Sequence, residues 1–194
     1  MPTFFFPDNT VLINFTLLDR HDLLEWFVRG SGQWTLSVSR ECHRSSQQPG
    51  LSRLADWSDV FHEPLIPEPR ELVDARTIAE HMRKPGESEP SQHMGEAETI
   101  AIVVNRGLST VFLTDDHDAA RRAAAEPLIT VASTTKIIAF AEVKGRLEHA
   151  EARSYLAGLL NARRVLGNPP LVADYDSYVA SLRNAVPFSG PPPR

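Results

Sequence analysis

The sequence predicts an α/β protein with a mainly parallel central sheet, and three observations predict it. Short β-rich apolar runs recur at residues 3–6, 34–38, 109–114 and 128–131. Stretches with apolar residues at helical spacing lie between them, the alternation that a parallel sheet with covering helices requires. The chain has 194 residues and 42% apolar content, enough for one sizeable core.

The elements follow in order. Residues 3–6, Thr-Phe-Phe-Phe, form the first strand, and Pro7 ends it because proline lacks a ladder donor. Asp8 therefore stands at the strand's carboxyl end. Residues 11–28 carry apolar side chains at helical spacing, as one helix or as two short helices broken between Asp19 and Asp22. Gly30-Ser31-Gly32 is a turn, and residues 34–38 are expected as a second strand. Ser39 then caps a helix with Glu41 in its first turn. Residues 59–66 read as a short edge strand, kept from the centre by Pro64, Pro67 and Pro69. A helix is expected over 71–83, and residues 84–93, KPGESEPSQH, have the composition of a mobile loop.

The most informative stretch is 94–122, MGEAETIAIVVNRGLSTVFLTDDHDAARR. Ala97, Ile100, Ala101 and Val104 share one helical face, and Gly107 takes the usual left-handed exit position. An uncharged strand follows. Charge then returns abruptly with Asp115, Asp116 and Asp118, ahead of a helix through Ala125. Like charges gathered past a buried strand repel unless a cation or proton intervenes. Residues 128–131 form a further strand. Helices over 134–144, 150–164 and 174–183 complete the chain, and 189–194 is a frayed proline-rich tail.

Composition narrows the function. The net charge of −5 gives no global basic field for nucleic acid, although a local basic rim would suffice. The single cysteine, Cys42, excludes an internal disulfide framework and suits a reducing, cytoplasmic setting. It reads as a small core residue. The first residues lack the pattern of a signal peptide, and no run is long enough for a membrane span. Without secretion, the sequon at Asn14 carries no meaning.

The acids converge. Asp8 and Asp115/Asp116 follow strands, while Glu41 and Glu96 lie at helix starts. In a parallel sheet these positions share one edge, where ligand sites form. An oxygen-rich cluster there suits Mg²⁺ or Mn²⁺. Two such ions can activate water and stabilise the leaving oxygen in phosphodiester cleavage. Taken singly, each acid reads more simply as a cap or a solvated charge.

The order Asp8-Asn9-Thr10, Ser39-Arg40-Glu41, Gly95-Glu96-Ala97-Glu98 and Thr114-Asp115-Asp116 resembles the PIN domain, the nuclease fold of VapC-like toxins, over about residues 3–150. The resemblance implies a three-layer α/β/α sandwich and Mg²⁺- or Mn²⁺-dependent endoribonuclease activity on RNA, often restrained by a small antitoxin. It places a nuclease domain at 1–150 with an insertion at about 45–94, and a helical extension at 151–188 packed on the same domain. The family's four acids fall on Asp8, Glu41, Glu96 and Asp116. Counting back from Asp116 points instead to Glu98 as the third, whereas aligning Gly107 points to Glu96. Asp115 and Asp118 are further candidate metal ligands. Asn9, Thr10, Arg40, Arg44 and Thr114 are candidate substrate contacts, and a basic segment of an antitoxin would insert among the acids.

Other readings stand beside this one. A non-catalytic PIN-fold binding module would keep the acids and act through a partner. An aspartyl phosphotransferase would want a second Asp where Thr10 stands. The histidines are scattered, and only His117 lies between acids. Arg121 and Arg122 read as phosphate contacts or as solvated helix charge. Trp26, Trp34 and Trp57 read as core. Helix 150–164, with Ala152, Tyr155, Leu156, Leu159 and Leu160, reads as core, with a homodimer or antitoxin groove as the alternative.

Overall fold

The computed structural model describes residues 3–83, 86, 93–167 and 174–185. Apart from Gly86 and His93, the expected loop at 84–93 lies outside these residues, as does the tail at 189–194. The sheet has three parallel strands in the order β1 (Thr3–Pro7), β2 (Ser109–Leu113), β3 (Ile129–Ala132). Pro7 pairs with Leu113 and Leu113 with Ala132, so the three carboxyl ends are level. Alternation along each strand divides the core in two. Phe6, Phe112 and Ile129 face one side, while Leu113 and Ala132 face the other, with Phe5 and Val111 packed beside them.

Helices cover both faces. On the first side lie α5 (Pro69–Met82), α6 (Met94–Arg106) and α7 (His117–Ala124), contributing Met82, Ile100, Val103, Ala119 and Ala123. Helices α5 and α6 meet through Ala75, Ala79, Ala97 and Ala101, small side chains that allow close approach. On the other side lie α1 (Asn9–Leu17), α2 (His21–Val28), α3 (Leu36–Ser46), α4 (Trp57–Phe61), α8 (Thr134–Val143), α9 (His149–Asn161) and α10 (Tyr175–Ala185). Residues 45–94 thus supply part of both cores, and α9 and α10 share the core of the rest through Leu156 and Tyr175. Among the described residues no helix is long and apolar enough to cross a membrane.

The expected break near Asp19 falls between α1 and α2, with Asp19 itself at φ 55°. Gly107 ends α6 at φ 64°. Two strand expectations are corrected. Residues 34–38 do not form a strand: Thr35 makes one isolated bridge to Leu65, and α3 begins at Leu36. The helix prevails because Thr35, not Ser39, accepts from the Val38 amide, and because the Glu98 carboxylate accepts from the Ser37 amide at 2.9 Å and hydroxyl at 2.8 Å. Glu41 therefore lies in the second turn of α3. The edge strand expected at 59–66 is replaced by α4, whose Trp57 and Phe61 are buried, and only Leu65 still bridges to Thr35. Leu160 is also corrected: it is 46% exposed on the outer face of α9, whereas Ala152, Leu156 and Leu159 are buried. Trp34 and Trp57 are core, and half-buried Trp26 stacks on Phe140.

Candidate functional site: an acidic crevice at the carboxyl edge of the sheet

Because the strand ends are level, the residues just beyond them form one ledge. Asp8 follows β1, its amide donating to the Leu113 carbonyl at 2.7 Å, and Thr114 follows β2, its amide donating to Ala132 at 3.0 Å. Asp8 is buried. Its Oδ2 accepts from the Thr10 hydroxyl at 2.5 Å and the Thr114 hydroxyl at 3.3 Å. Burial nevertheless holds its carboxyl above the usual range, and the charge of Asp116 adds to that.

Glu41 reaches this ledge from α3 and Glu96 from the first turn of α6. Gly95 admits Glu41: a Cβ there would stand 3.0 and 3.1 Å from the Glu41 carboxylate oxygens. The Gly95 amide donates to Glu41, which thereby serves the amino end of α6 from across the crevice. Burial first, then the charge of Asp8, pushes Glu41 up to about 7. Burial, then the charges of Asp8, Glu41 and Asp116, pushes Glu96 up to about 9. Glu98, two residues and so about half a turn further along α6, is occupied at the amino end of α3 through Ser37. Its charge still reaches Glu41, but it is Glu96 that interacts with Asp8, Glu41 and Asp116 together.

Asp116 is both a crevice acid and the N-cap of α7: its Oδ1 accepts from the amides of Asp118 at 2.8 Å and Ala119 at 2.7 Å. Among the described residues none of Asp8, Glu41, Glu96 and Asp116 makes an ion pair with Lys, Arg or His. Equally, among the described residues no group of three or more His, Cys, Asp or Glu side chains is arranged to hold a metal ion.

Asp115 does not suit the ligand role expected of it. It is buried and turned toward the protein, where four donors occupy it: Asn14 Nδ2 at 2.8 Å, the Thr134 hydroxyl, the Thr134 amide at 3.1 Å and the Gly167 amide at 2.7 Å. Burial raises its pKa, and those hydrogen bonds oppose the rise. Asp118 lies on α7 paired with Arg121 at 2.7 Å. Thr114 ties the ledge together by donating to Asp8 and accepting from the Asp116 amide at 3.1 Å. Asn9 points away, donating to Ser45 at 3.1 Å, and Thr10 is committed to Asp8. Arg40 and Arg44 are exposed on α3, and Arg44 is near enough for its charge to lower the pKa of Glu41. Cys42 is buried, and its thiol is pushed up to about 12, as suits a packing residue.

The sequence reading missed Asn14, Thr134, Arg164 and Gly167, which fix the floor of the crevice through Asp115. Asn14, a buried polar residue among the apolar positions of α1, was the one available signal. No family model matches the chain, and no curated protein or solved structure matches it.

Proposed function

We propose that the crevice is the centre of a PIN-type, divalent-metal-dependent endoribonuclease that hydrolyses phosphodiester bonds in single-stranded RNA. One observation carries this reading. Four carboxylates from four elements gather at the carboxyl edge of a parallel sheet, where burial first and then the neighbouring acids raise the pKa values of Asp8, Glu41 and Glu96, and no cationic side chain among the described residues pairs with them. The donor set is all oxygen, carboxylates with the Thr114 hydroxyl alongside, and suits a hard cation such as Mg²⁺ or Mn²⁺. Asp8, Glu96 and Asp116 would hold it, with Glu41 beside them. A bound divalent cation supplies Lewis acidity and a water of lowered pKa for attack on phosphorus.

The chain's own residues do the positioning. Thr10 and Thr114 orient Asp8, the α7 cap orients Asp116, and Gly95 makes room for Glu41. The same unneutralised charge would accept an Arg or Lys from an inhibitor, which is how a small antitoxin of a toxin-like member would act. A second reading, a PIN-fold binding module without catalysis, draws on the finding that no three described acids are arranged to hold a metal ion.

A metal titration with labelled single-stranded RNA separates the two. Cleavage should require Mg²⁺ or Mn²⁺ and fall by two or more orders of magnitude in Asp8→Asn and Asp116→Asn. Undiminished cleavage in EDTA would falsify the metal mechanism. Saturable RNA binding with no cleavage at any metal concentration would favour the binding module.

A further inference from the structure

Beside the acids stands an arginine, Arg164, that makes no ion pair with a carboxylate among the described residues. Helix α9 ends at Asn161, and Arg163 adopts the left-handed conformation at φ 57°, turning the chain back over the strand ends. A non-glycine residue in that region stores strain that surrounding structure must hold. The turn brings the half-buried side chain of Arg164 to the crevice. Its Nε donates to Asn14 Oδ1 at 2.7 Å, and a terminal nitrogen lies 3.4 Å from the Thr10 carbonyl. Asn14 cannot flip its amide without loss, because its Nδ2 donates to Asp115 at 2.8 Å and Thr134 at 3.2 Å. Gly167 closes the turn on Asp115, so closely that a Cβ there would stand 2.9 Å from the Asp115 Cα.

The acceptors of Arg164 among the described residues are neutral, an amide and a backbone carbonyl. Among the described residues it makes no ion pair, although acids stand close by. An arginine fixed by neutral acceptors keeps its charge and part of its planar fork for another anion. Next to it opens a cavity of about 380 Å³, lined in part by Thr10, Asp116, His117, Arg163 and Arg164. That volume lies within the range of small-ligand sites. Asp115 and Asp118, also in its wall, are engaged by their own donors.

We propose that Arg164, set in place by Asn14 and Thr10, binds a backbone phosphate of the RNA strand in this cavity, with Arg163 at its mouth. This rests on the nuclease reading and extends it by placing the strand: its backbone lies along the α9 side of the crevice, with the four acids facing it. Guanidinium contact with phosphate fixes register and carries no base specificity.

The test is fluorescence anisotropy of a labelled twelve-nucleotide oligouridine, in Ca²⁺ rather than Mg²⁺ or Mn²⁺, across a series of KCl concentrations. Removing one cation–phosphate interaction lowers the slope of log affinity against log salt by about 0.7 for a single strand. Arg164→Gln keeps a donor for Asn14 and removes the charge. It should weaken binding about tenfold and flatten the slope by about 0.7. Arg164→Lys should keep the slope and lose part of the affinity. Arg164→Gln with the parent slope and affinity overturns the inference and leaves the nuclease reading standing. A parent protein that binds no RNA overturns both. Inorganic phosphate is the second probe: competition below about 1 mM in the parent would point to a site for the free anion and overturn the strand assignment, since a single phosphate held alone binds weakly. Weak competition, at about 10 mM or above, supports it.

Discussion

Glu71 and Glu142 on one side, and Asp8, Glu41 and Glu96 on the other, are carboxylates withdrawn from water in the same small fold. The first pair is fully partnered. Glu71 takes a bidentate contact from Arg106 at 2.7 and 2.8 Å, and the Glu68 amide at 2.7 Å. Glu142 takes the Tyr175 hydroxyl and Arg183, both at 2.9 Å, and so binds α10 to α8. The crevice acids receive hydroxyl and amide donors but no cation among the described residues, and they stand near each other. Asp115 is intermediate: it has four neutral donors and, among the described residues, no ion pair, and burial still prevails over the donors. The difference teaches where the fold can supply a counter-charge and where one is left for a ligand. Elsewhere a buried acid is a joint between elements; at the sheet edge the acids are left facing one another.

The sharpest way to break that comparison is to remove a joint. Asp115→Ala leaves buried donors on Asn14, Thr134 and Gly167 without an acceptor. Each unsatisfied group costs about 1–3 kcal/mol, so the variant should lose at least about 3 kcal/mol, or roughly 6–12 °C in Tm for a chain of this length. Urea and thermal unfolding measure it. A loss under about 1 kcal/mol would mean that Asp115 braces nothing.

Next in size is Glu71→Gln. Breaking a buried pair costs about 3–5 kcal/mol, but the Arg106 side chain is 31% exposed and can turn to water, so about 2 kcal/mol is expected. Arg106 beside it holds the Glu71 carboxyl below its ordinary value. Its stabilisation is therefore present above the unfolded pKa of about 4.5 and lost as pH falls through the lower folded value. Melting curves from about pH 7 to about pH 3 should show the parent approaching the variant only in that acid window. Parallel curves throughout would remove Arg106 as the cause.

The smallest effect has the opposite sign. Glu96 is raised to about 9, so its contribution is full below about pH 4.5 and lost as pH rises through about 9. Without metal, Glu96→Gln should match the parent below about pH 4.5 and gain on it from there to about pH 9, because the unfolded Glu96 ionises while the folded carboxyl still holds its proton. It should exceed the parent by about 2–4 °C at about pH 10 if about 1 kcal/mol of repulsion is relieved. Glu41→Gln should begin to diverge at the same pH but complete its divergence earlier, near pH 7. Mn²⁺ should raise the Tm of the parent more than that of either variant, since binding to the folded state adds to stability. If Glu98→Gln shows this behaviour and Glu96→Gln does not, the third acid is Glu98.

Helix α6, Gly107 and strand β2 were legible because their signals are local: an apolar face at helical spacing, a glycine at the exit and an uncharged β-rich run. Asp8 was legible as a residue just past a strand. The start of α3 was not. Residues 34–38 have strand-like composition, and the carboxylate that turns them toward helix comes from Glu98, 61 residues on. Asp115 and Asp116 look equivalent in sequence. Only backbone direction at the strand end turns one toward Asn14 and Gly167 and the other toward the crevice and the α7 cap.

Local chemistry by itself determined the α/β class, the position of most helices and the presence of acids just past the strands, because periodicity and caps act over a few residues. Tertiary structure decided which acids are left without an ion pair among the described residues, that Glu41 enters from the second turn of a helix through the gap at Gly95, and that Arg164 is fixed beside them by Asn14 and Thr10. Those outcomes depend on donors and counter-charges brought together across distances of 61 to 150 residues, and no local pattern encodes such a pairing.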